Sequence, residues 1–221
     1  MKPILATPRA IGLFTLMTLA MPSLAGAADW VSGGTLPAPK QHAFGVELGG
    51  TIYAIGGTPW TNGGDQDGTV YRLSGGVWSA AAALDGAGPA VPIGGGIDGL
   101  GRIDFFGGIL VGNGDPGSNR VYDPTQGVLG SIANPPNGTQ QLGFAFATDG
   151  SGRLYWLGGG SPPAASGACS RYTASSNSWT VIAPMPMPVA SACACYDGAG
   201  HILVVGGIPA GSAAPPFRMA A

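Results

Sequence analysis

Charged side chains are scarce in this chain. Asp, Glu, Lys and Arg make up 9% of its 221 residues, against about 25% in an ordinary globular protein. The formal net charge is −2 and no basic stretch is present, so the sequence predicts neither a nucleic acid partner nor binding to an anionic membrane surface. Because 45% of the residues are hydrophobic, the charge-rich and apolar-poor composition of disordered proteins is excluded as well.

Histidine and cysteine are also rare. The two histidines, His42 and His201, have no metal-ligand spacing and no Ser-His-Asp arrangement around them, so we predict no catalytic residue, no metal and no cofactor. The three cysteines are Cys169, Cys193 and Cys195. An odd number leaves at least one thiol unpaired or in an intermolecular bond. The alternatives are a disulfide from Cys169 to Cys193 or Cys195, a metal site at the Cys-x-Cys pair if His or Cys partners converge on it, and buried small hydrophobic residues with at most one disulfide.

The first 27 residues differ from the rest of the chain. Lys2 and Arg9 form a basic region, residues 11–21 are apolar, and residues 25–27 are a small-residue cleavage site. The apolar run is too short for the roughly 20 residues that span a bilayer. We therefore expect residues 1–27 to be a cleaved signal peptide. The remaining chain, residues 28–221, should be periplasmic or secreted, without a membrane anchor after cleavage.

What the chain has in excess is glycine, with 41 Gly beside 20 Pro. The glycines follow a repeat, because a Gly-Gly pair ends each of four short apolar runs, and the pairs are spaced by 51, 51 and 48 residues. The four pairs are Gly56-Gly57, Gly107-Gly108, Gly158-Gly159 and Gly206-Gly207. Short apolar runs bounded by glycine predict strands that are buried on both faces.

An acidic residue precedes each apolar run. It stands nine positions before the first glycine of each pair, at Glu47, Asp98, Asp149 and Asp197, and in three repeats it opens an Asp-Gly-x-Gly pattern. This pattern predicts a hairpin turn, in which Asp bonds its own backbone and Gly supplies a positive φ. His201, in the last of these turns, is predicted to be a solvated turn residue.

Aromatic residues follow each Gly-Gly pair at similar offsets. Tyr71, Tyr122 and Tyr172 come first, and Trp78, Leu129 and Trp179 follow seven residues later. They predict a third and a fourth strand, joined by turns such as residues 123–125 and 175–177. The four repeats span approximately residues 41–84, 91–135, 142–185 and 190–218. Trp30 and Leu36 carry the offsets of Trp179 and Met185, so residues 29–37 are predicted to be a fourth strand that completes the last repeat.

This pattern resembles the kelch repeat, in which a Gly-[Arg/Lys]-Ile-Tyr-like strand ends in Gly-Gly and is followed by Tyr and then Trp. Arg102 and Arg153 match the basic position, whereas Thr51 and His201 depart from it. The resemblance covers residues 30–218. It implies an all-β fold, a β-propeller of about four blades with four antiparallel strands each, closed by pairing of the N-terminal strand with the C-terminal blade. The alternative is an open fragment of a larger propeller, which would oligomerise.

Two loops carry the candidate ligand-binding residues. The loop after the first Gly-Gly pair and its counterpart in the second repeat leave from the same end of their repeats. A tryptophan beside amides, carboxylates and an arginine fits a sugar or peptide site, and a solvated loop that uses Asn and Asp for its turns is the alternative. The candidates are Trp60, Asn62, Asp65, Asp67, Asn113, Asp115 and Arg120.

Asp104 is an unusual residue within a predicted buried strand, because Tyr53, Tyr155 and Leu203 occupy its position in the other repeats. A buried carboxylate needs a donor or water, or its pKa shifts. We expect either an Arg or backbone partner between two repeats, or a carboxylate that faces a central channel. Arg171 is the second candidate for a channel position.

The kelch resemblance implies a non-enzymatic interaction module, and we predict an exported propeller that binds a protein or a glycan. A carbohydrate-active enzyme is the alternative, since exported kelch propellers include mutarotases (epimerases) of sialic acid, for which Arg120, Arg171 and Asp104 would be candidate residues. Copper-dependent galactose oxidases also belong to this group. They need a Tyr/His copper site, which the two scattered histidines do not supply.

Overall fold

The structure is a computed structural model, and it describes residues 33–40, 43–57, 69–83, 94–106, 119–136, 143–160 and 163–212. All of these belong to one compact unit, residues 33–221. The expected signal peptide, Trp30, Gly107 and Gly108 lie outside the described residues. Within the described part the chain forms β-strands and one 3-10 turn, Ala174–Ser176, and no α-helix. The predicted all-β class is therefore confirmed.

Fourteen strands are present among the described residues, and neighbouring strands of a sheet are antiparallel and consecutive along the chain. The first, second and third sheets have four strands each, β1–β4, β5–β8 and β9–β12, and the last sheet consists of β13 and β14. The strands are β1 (Phe44–Leu48), β2 (Thr51–Ile55), β3 (Val70–Ser74), β4 (Val77–Ala82), β5 (Gly94–Ile97), β6 (Ile103–Phe106), β7 (Arg120–Asp123), β8 (Val128–Ser131), β9 (Ala145–Thr148), β10 (Leu154–Leu157), β11 (Cys169–Thr173), β12 (Ser178–Ile182), β13 (Val189–Tyr196) and β14 (Ile202–Pro209).

The turn between the first two strands of each sheet is held by its acidic residue, as predicted. Asp149 Oδ1 accepts hydrogen bonds from the backbone N–H of Ser151 at 2.8 Å and of Arg153 at 3.0 Å, while Oδ2 accepts one from Arg153 Nε at 2.7 Å. Asp98 binds its turn and Arg102 in the same way, and Asp197 binds its turn and His201. We call this arrangement the carboxylate clamp.

Consecutive sheets pack face to face, with β1 next to β5, β5 next to β9, and β9 next to β13. Side chains alternate between the two faces of a strand, so the second strand of each inner sheet contributes to two interfaces, and those of the first and last sheets contribute to one. The second and fourth residues of its apolar run face the following sheet, and the first and third face the preceding one. Thus Tyr53 and Ile55 pack with Ile103 and Phe105 between the first and second sheets.

Aromatic side chains fill the interface between the second and third sheets. Phe144 stacks on Trp156 with ring centroids 3.7 Å apart, and Phe106 meets Trp179 edge to face at 5.3 Å. Such ring contacts contribute about 1 kcal/mol each beyond the burial of apolar area. Trp179 also donates its indole N–H to Ala133 O at 2.8 Å, which attaches the connection after β8 to the third sheet.

The last sheet departs from the prediction in two respects. β14 continues through Gly206 and Gly207 to Pro209 instead of ending before the glycine pair. Its apolar run is also only half-buried on one face, at Ile202 and Val204, and exposed on the other, where Leu203 is 48% and Val205 65% exposed. The physical reason is that this sheet packs on the third sheet through Ile202 and Val204, while none of the other described sheets packs on its second face.

The predicted strand over residues 29–37 is not borne out in its described part, because residues 33–40 contain no strand. This segment lies against the first sheet: a Cβ on Gly34 would be 3.6 Å from Trp78 Cδ1, and Lys40 Nζ lies 4.8 Å from the centre of the Tyr71 ring. Lys40 Nζ also donates to Gly56 O at 2.8 Å. The backbone is held by these contacts rather than by strand pairing.

Candidate functional site

The two ends of the sheets differ in their connections. At one end, which we call the turn end, strands are joined by two to five residues. At the other, the loop end, the second and third strands of the first three sheets are joined by 11 to 14 residues. Long connections on a rigid sheet scaffold are where binding residues concentrate, so the loop end is the candidate ligand surface.

Most of the predicted loop residues lie outside the described part of the chain, namely Trp60, Asn62, Asp65, Asp67, Asn113 and Asp115. Arg120 is described. It is the first residue of β7, is half-buried, and pairs in register with Phe105 of β6 and Ser131 of β8. Arg120 therefore belongs to a strand at the loop end.

The loop after β10 is described at both of its ends and is fixed to its surroundings. Gly159 N donates to Val189 O at 3.2 Å, and Gly211 N donates to Pro163 O at 2.8 Å. These bonds join the loop to the first residue of β13 and to the turn after β14. At the loop end, backbone hydrogen bonds thus connect the loop of the third sheet to the last sheet.

An apolar groove of about 300 Å³ opens beside this surface. It lies between the segment Met185–Pro188 and one face of β14, and its apolar walls include Met185, Met187, Ile202 and Val204. Methionine side chains adapt to irregular apolar ligands, and no charged residue is among the described residues that line the groove. The groove fits an apolar side chain of a bound protein better than a sugar. Sequence reasoning used Met185 only as the end of a repeat, although the run Met-Pro-Met-Pro was visible at residues 185–188.

A second cleft, of about 150 Å³, lies at the turn end between the β5–β6 and β9–β10 turns. Ser151, Arg153 and Thr173 contribute to its lining. Arg153 is held by the Asp149 carboxylate at 2.7 Å, and this partner raises the pKa of the guanidinium. Because the cation is already paired, the cleft lacks the features of an anion site.

Asp104 lies in β6 on the face that packs against the third sheet, and it is fully buried. Neither carboxylate oxygen has a hydrogen-bond partner among the described residues. Burial and, to a lesser extent, the nearby charge of Asp98 raise the pKa of Asp104 to about 8, against the opposing charge of Arg102. The carboxyl group is therefore protonated at neutral pH. Both expectations for Asp104 are wrong, because it neither meets an Arg or backbone donor nor faces open space.

Tyr172 of the third sheet is part of the surroundings of Asp104. Burial and the charge of Asp104 raise the pKa of Tyr172 to about 12. The Tyr172 hydroxyl donates to Asn177 Oδ1 at 2.9 Å, and this bond directs its hydrogen to the turn before β12. The Tyr172 hydroxyl therefore does not donate a hydrogen bond to the buried Asp104 carboxyl group.

Arg171, the other candidate for a channel position, lies in β11, where it pairs with Tyr155 and Thr180. This register places it on the face with Cys169, which packs against the last sheet. Its Nε is buried and has no hydrogen-bond partner within the described part of the chain. Asp104 and Arg171 thus face opposite sides of the third sheet, and the structure does not bring them together.

The three cysteines are all described and all free, so the disulfide alternative is wrong. Cys169 is buried and packs toward Ala192 and Ala194 of β13, and burial raises the pKa of its thiol. Cys193 and Cys195 are exposed because they alternate with those alanines and point to the other face of β13.

The described residues contain no cluster of three or more His, Cys, Asp or Glu that could hold a metal ion. His201 is exposed and pairs with Asp197, with Nδ1 and Oδ2 2.7 Å apart, so its predicted role as a solvated turn residue is confirmed. No helix in the described ranges has the length and apolar character needed to cross a bilayer. No known family model and no curated protein matches this chain.

Proposed function

We propose that this chain is an exported kelch-like propeller protein that binds a protein or glycan ligand at the loop end of its sheets. Each sheet would be one blade, with its first strand nearest the axis. The contacts of β1, β5, β9 and β13 in chain order support this arrangement. The three carboxylate clamps, and the glycines that follow both β2 and β10, recur at equivalent positions of successive sheets, which supports the proposal that the sheets are copies of one repeat.

The observation that carries the binding proposal is the difference between the two ends. At the turn end, the carboxylates of the short turns are hydrogen-bonded to their own backbone. The loop end has the long connections, and the apolar groove begins there at Met185 and Met187 and runs along β14 as far as Ile202. A concave apolar surface beside polar loops is the common form of a binding site. The groove favours a protein ligand with an exposed apolar side chain, and the Trp60 loop favours a sugar or a peptide.

Peptide and glycan arrays probed with the full chain test this proposal. We expect binding that falls at least tenfold in Met187→Asp or in Trp60→Ala. Leu100→Asp is the matched control, because Leu100 at the turn end is 57% exposed and Met187 58%. Equal loss in the control, or acceleration of sugar mutarotation without array binding, would contradict a binding module.

A further inference from the structure

Among the described strands, two faces of the row of sheets have no neighbouring sheet. On the first sheet, Ile52 points away from the second sheet and is 44% exposed, whereas Ala54 and Tyr71 on the same face are buried, with Lys40 over the Tyr71 ring. On the last sheet, Cys193, Cys195, Leu203 and Val205 point away from the third sheet and are exposed. Exposed apolar faces of this kind mark interaction surfaces.

The interfaces already present follow one register rule. A Cβ on Gly96 in the second sheet would lie 3.1 Å from Leu154 Cδ2 in the third. A Cβ on Gly94 would lie 3.1 Å from Phe146 Cβ. At the interface between the first and second sheets, a Cβ on Gly95 would lie 2.7 Å from Phe44 Cε1. Phe44 occupies the position of Gly94 in its own sheet, and Gly95 that of Phe146. Equivalent positions thus meet at successive interfaces.

The two open faces are the two halves of one further interface of this type. Cys195 pairs with Leu203 as Gly96 pairs with Asp104, so Cys195 is the counterpart of Gly96. Ile52 is the counterpart of Leu154 by its place in the apolar run. The register rule therefore puts Cys195 of a last sheet against Ile52 of a first sheet.

We propose that the open face of the last sheet docks onto the first sheet of a second copy of this chain, and reciprocally, so that two chains close one ring. The faces are complementary rather than identical, and two such head-to-tail contacts close by a two-fold rotation. Four sheets from each chain make eight, which is within the usual range of about four to eight blades for closed propellers.

The segment before β1 supports a neighbouring sheet at this place. Ala133 follows Leu129 of the second sheet by four residues and accepts a hydrogen bond from Trp179 of the next sheet. Gly34 lies against Trp78 of the first sheet, and it follows Trp30 by the same four residues. The first sheet thus receives an incoming connection like those that join two sheets. Ile52 and Val205 nevertheless stay exposed, so no other described sheet of the same chain covers these two positions.

Light scattering on the full chain tests the stoichiometry. We expect twice the mass of one chain, and a monomer for Val205→Glu, because a buried charge opposes docking. Val181→Glu is the matched control, since Val181 on the outer strand β12 is 64% exposed but lies on no open face. A monomeric wild type, dimers that survive Val205→Glu, or open-ended filaments would overturn the proposal.

Cysteine cross-linking tests the register independently. A chain with Cys193→Ser keeps Cys195, and it is mixed with a chain that carries Cys193→Ser, Cys195→Ser and Ile52→Cys. Oxidised glutathione accepts the two electrons as the two thiols lose their protons and form the disulfide. We expect a disulfide-linked dimer of the two chains, and none when Val77→Cys replaces Ile52→Cys. A disulfide within one chain carrying both Cys195 and Ile52→Cys would overturn docking of a second copy.

Discussion

Tyr155 donates its phenolic hydrogen to Asp149 Oδ2 over 3.0 Å. This bond gives the carboxylate clamp of the third sheet an additional donor beyond the turn and Arg153. In the second sheet the position of Tyr155 is occupied by Asp104, and the clamp of Asp98 is supplied by Arg102 through both Nε and Nη2. With Asp104 in place of a tyrosine, the Asp98 clamp of the second sheet lacks the phenolic donor that the Asp149 clamp has, and Asp104 itself is buried without a hydrogen-bond donor.

Removing the Tyr155 hydroxyl should weaken the third sheet. Tyr155→Phe takes one hydrogen bond from a buried carboxylate and should lower the free energy of unfolding by about 1 kcal/mol. Tyr53→Phe is the matched control, because the acid of that sheet, Glu47, lies in an exposed turn. Urea unfolding followed by tryptophan fluorescence measures both. An equal loss in the control would contradict the role assigned to the bond.

Asp104 should make stability depend on pH. Its ordinary pKa of 3.8 rises to about 8 in the fold, so between these values the folded chain keeps a proton that the unfolded chain has released. The free energy of unfolding should therefore fall as pH rises, by at most about 1.4 kcal/mol per pH unit, and level off above pH 8. Urea unfolding at pH 5, 6, 7 and 8 measures the slope.

Asp104→Asn is the control for that slope, because an amide does not titrate. We expect a flatter profile in the variant over the same pH range, whatever its absolute stability. Parallel profiles of the wild type and the variant would show that the carboxyl group ionises without cost, and would contradict its unpartnered burial.

Gly158 should be much less tolerant of a side chain than Gly49. Both have a positive φ, +66° and +60°, which costs about 1–2 kcal/mol for Ala. At Gly158 a Cβ would also lie 2.7 Å from Val189 O, whereas nothing lies within 4 Å at Gly49. Gly158→Ala should therefore lower the melting temperature clearly more than Gly49→Ala. Similar shifts for the two variants would contradict the close packing after β10.

The thiols should react in two classes. Cys193 and Cys195 are exposed, and Cys169 is buried with a raised pKa, so a maleimide reagent should label two sites in the monomeric Val205→Glu variant and the third only after unfolding. Mass spectrometry of labelled peptides measures this. Labelling of Cys169 at the rate of Cys195 would contradict its packing against the last sheet.

The features that could be predicted from the sequence are the local ones. The turns at Asp98 and Asp149 depend on residues within four positions of the acid, so their pattern was sufficient. The glycines after β10 likewise end that strand as predicted, because Gly158 needs a backbone conformation that other residues rarely adopt.

The features that could not be predicted depend on neighbouring sheets. The burial of Asp104 follows from the side chains that the third sheet sets against it, and no spacing within its own repeat encodes them. β14 passes through Gly206 and Gly207 because β13 continues to pair with it as far as Pro209. The groove at Met187 arises only when the segment before β13 lies beside β14.

The carboxylate clamp also has a consequence for the way the chain folds. Each clamp joins residues only four positions apart, so it forms with little loss of loop-closure entropy. A hairpin can thus assemble before any two sheets meet, and folding can nucleate at several places along the chain. The slow event is then the docking of preformed hairpins, whose contacts are far apart in sequence.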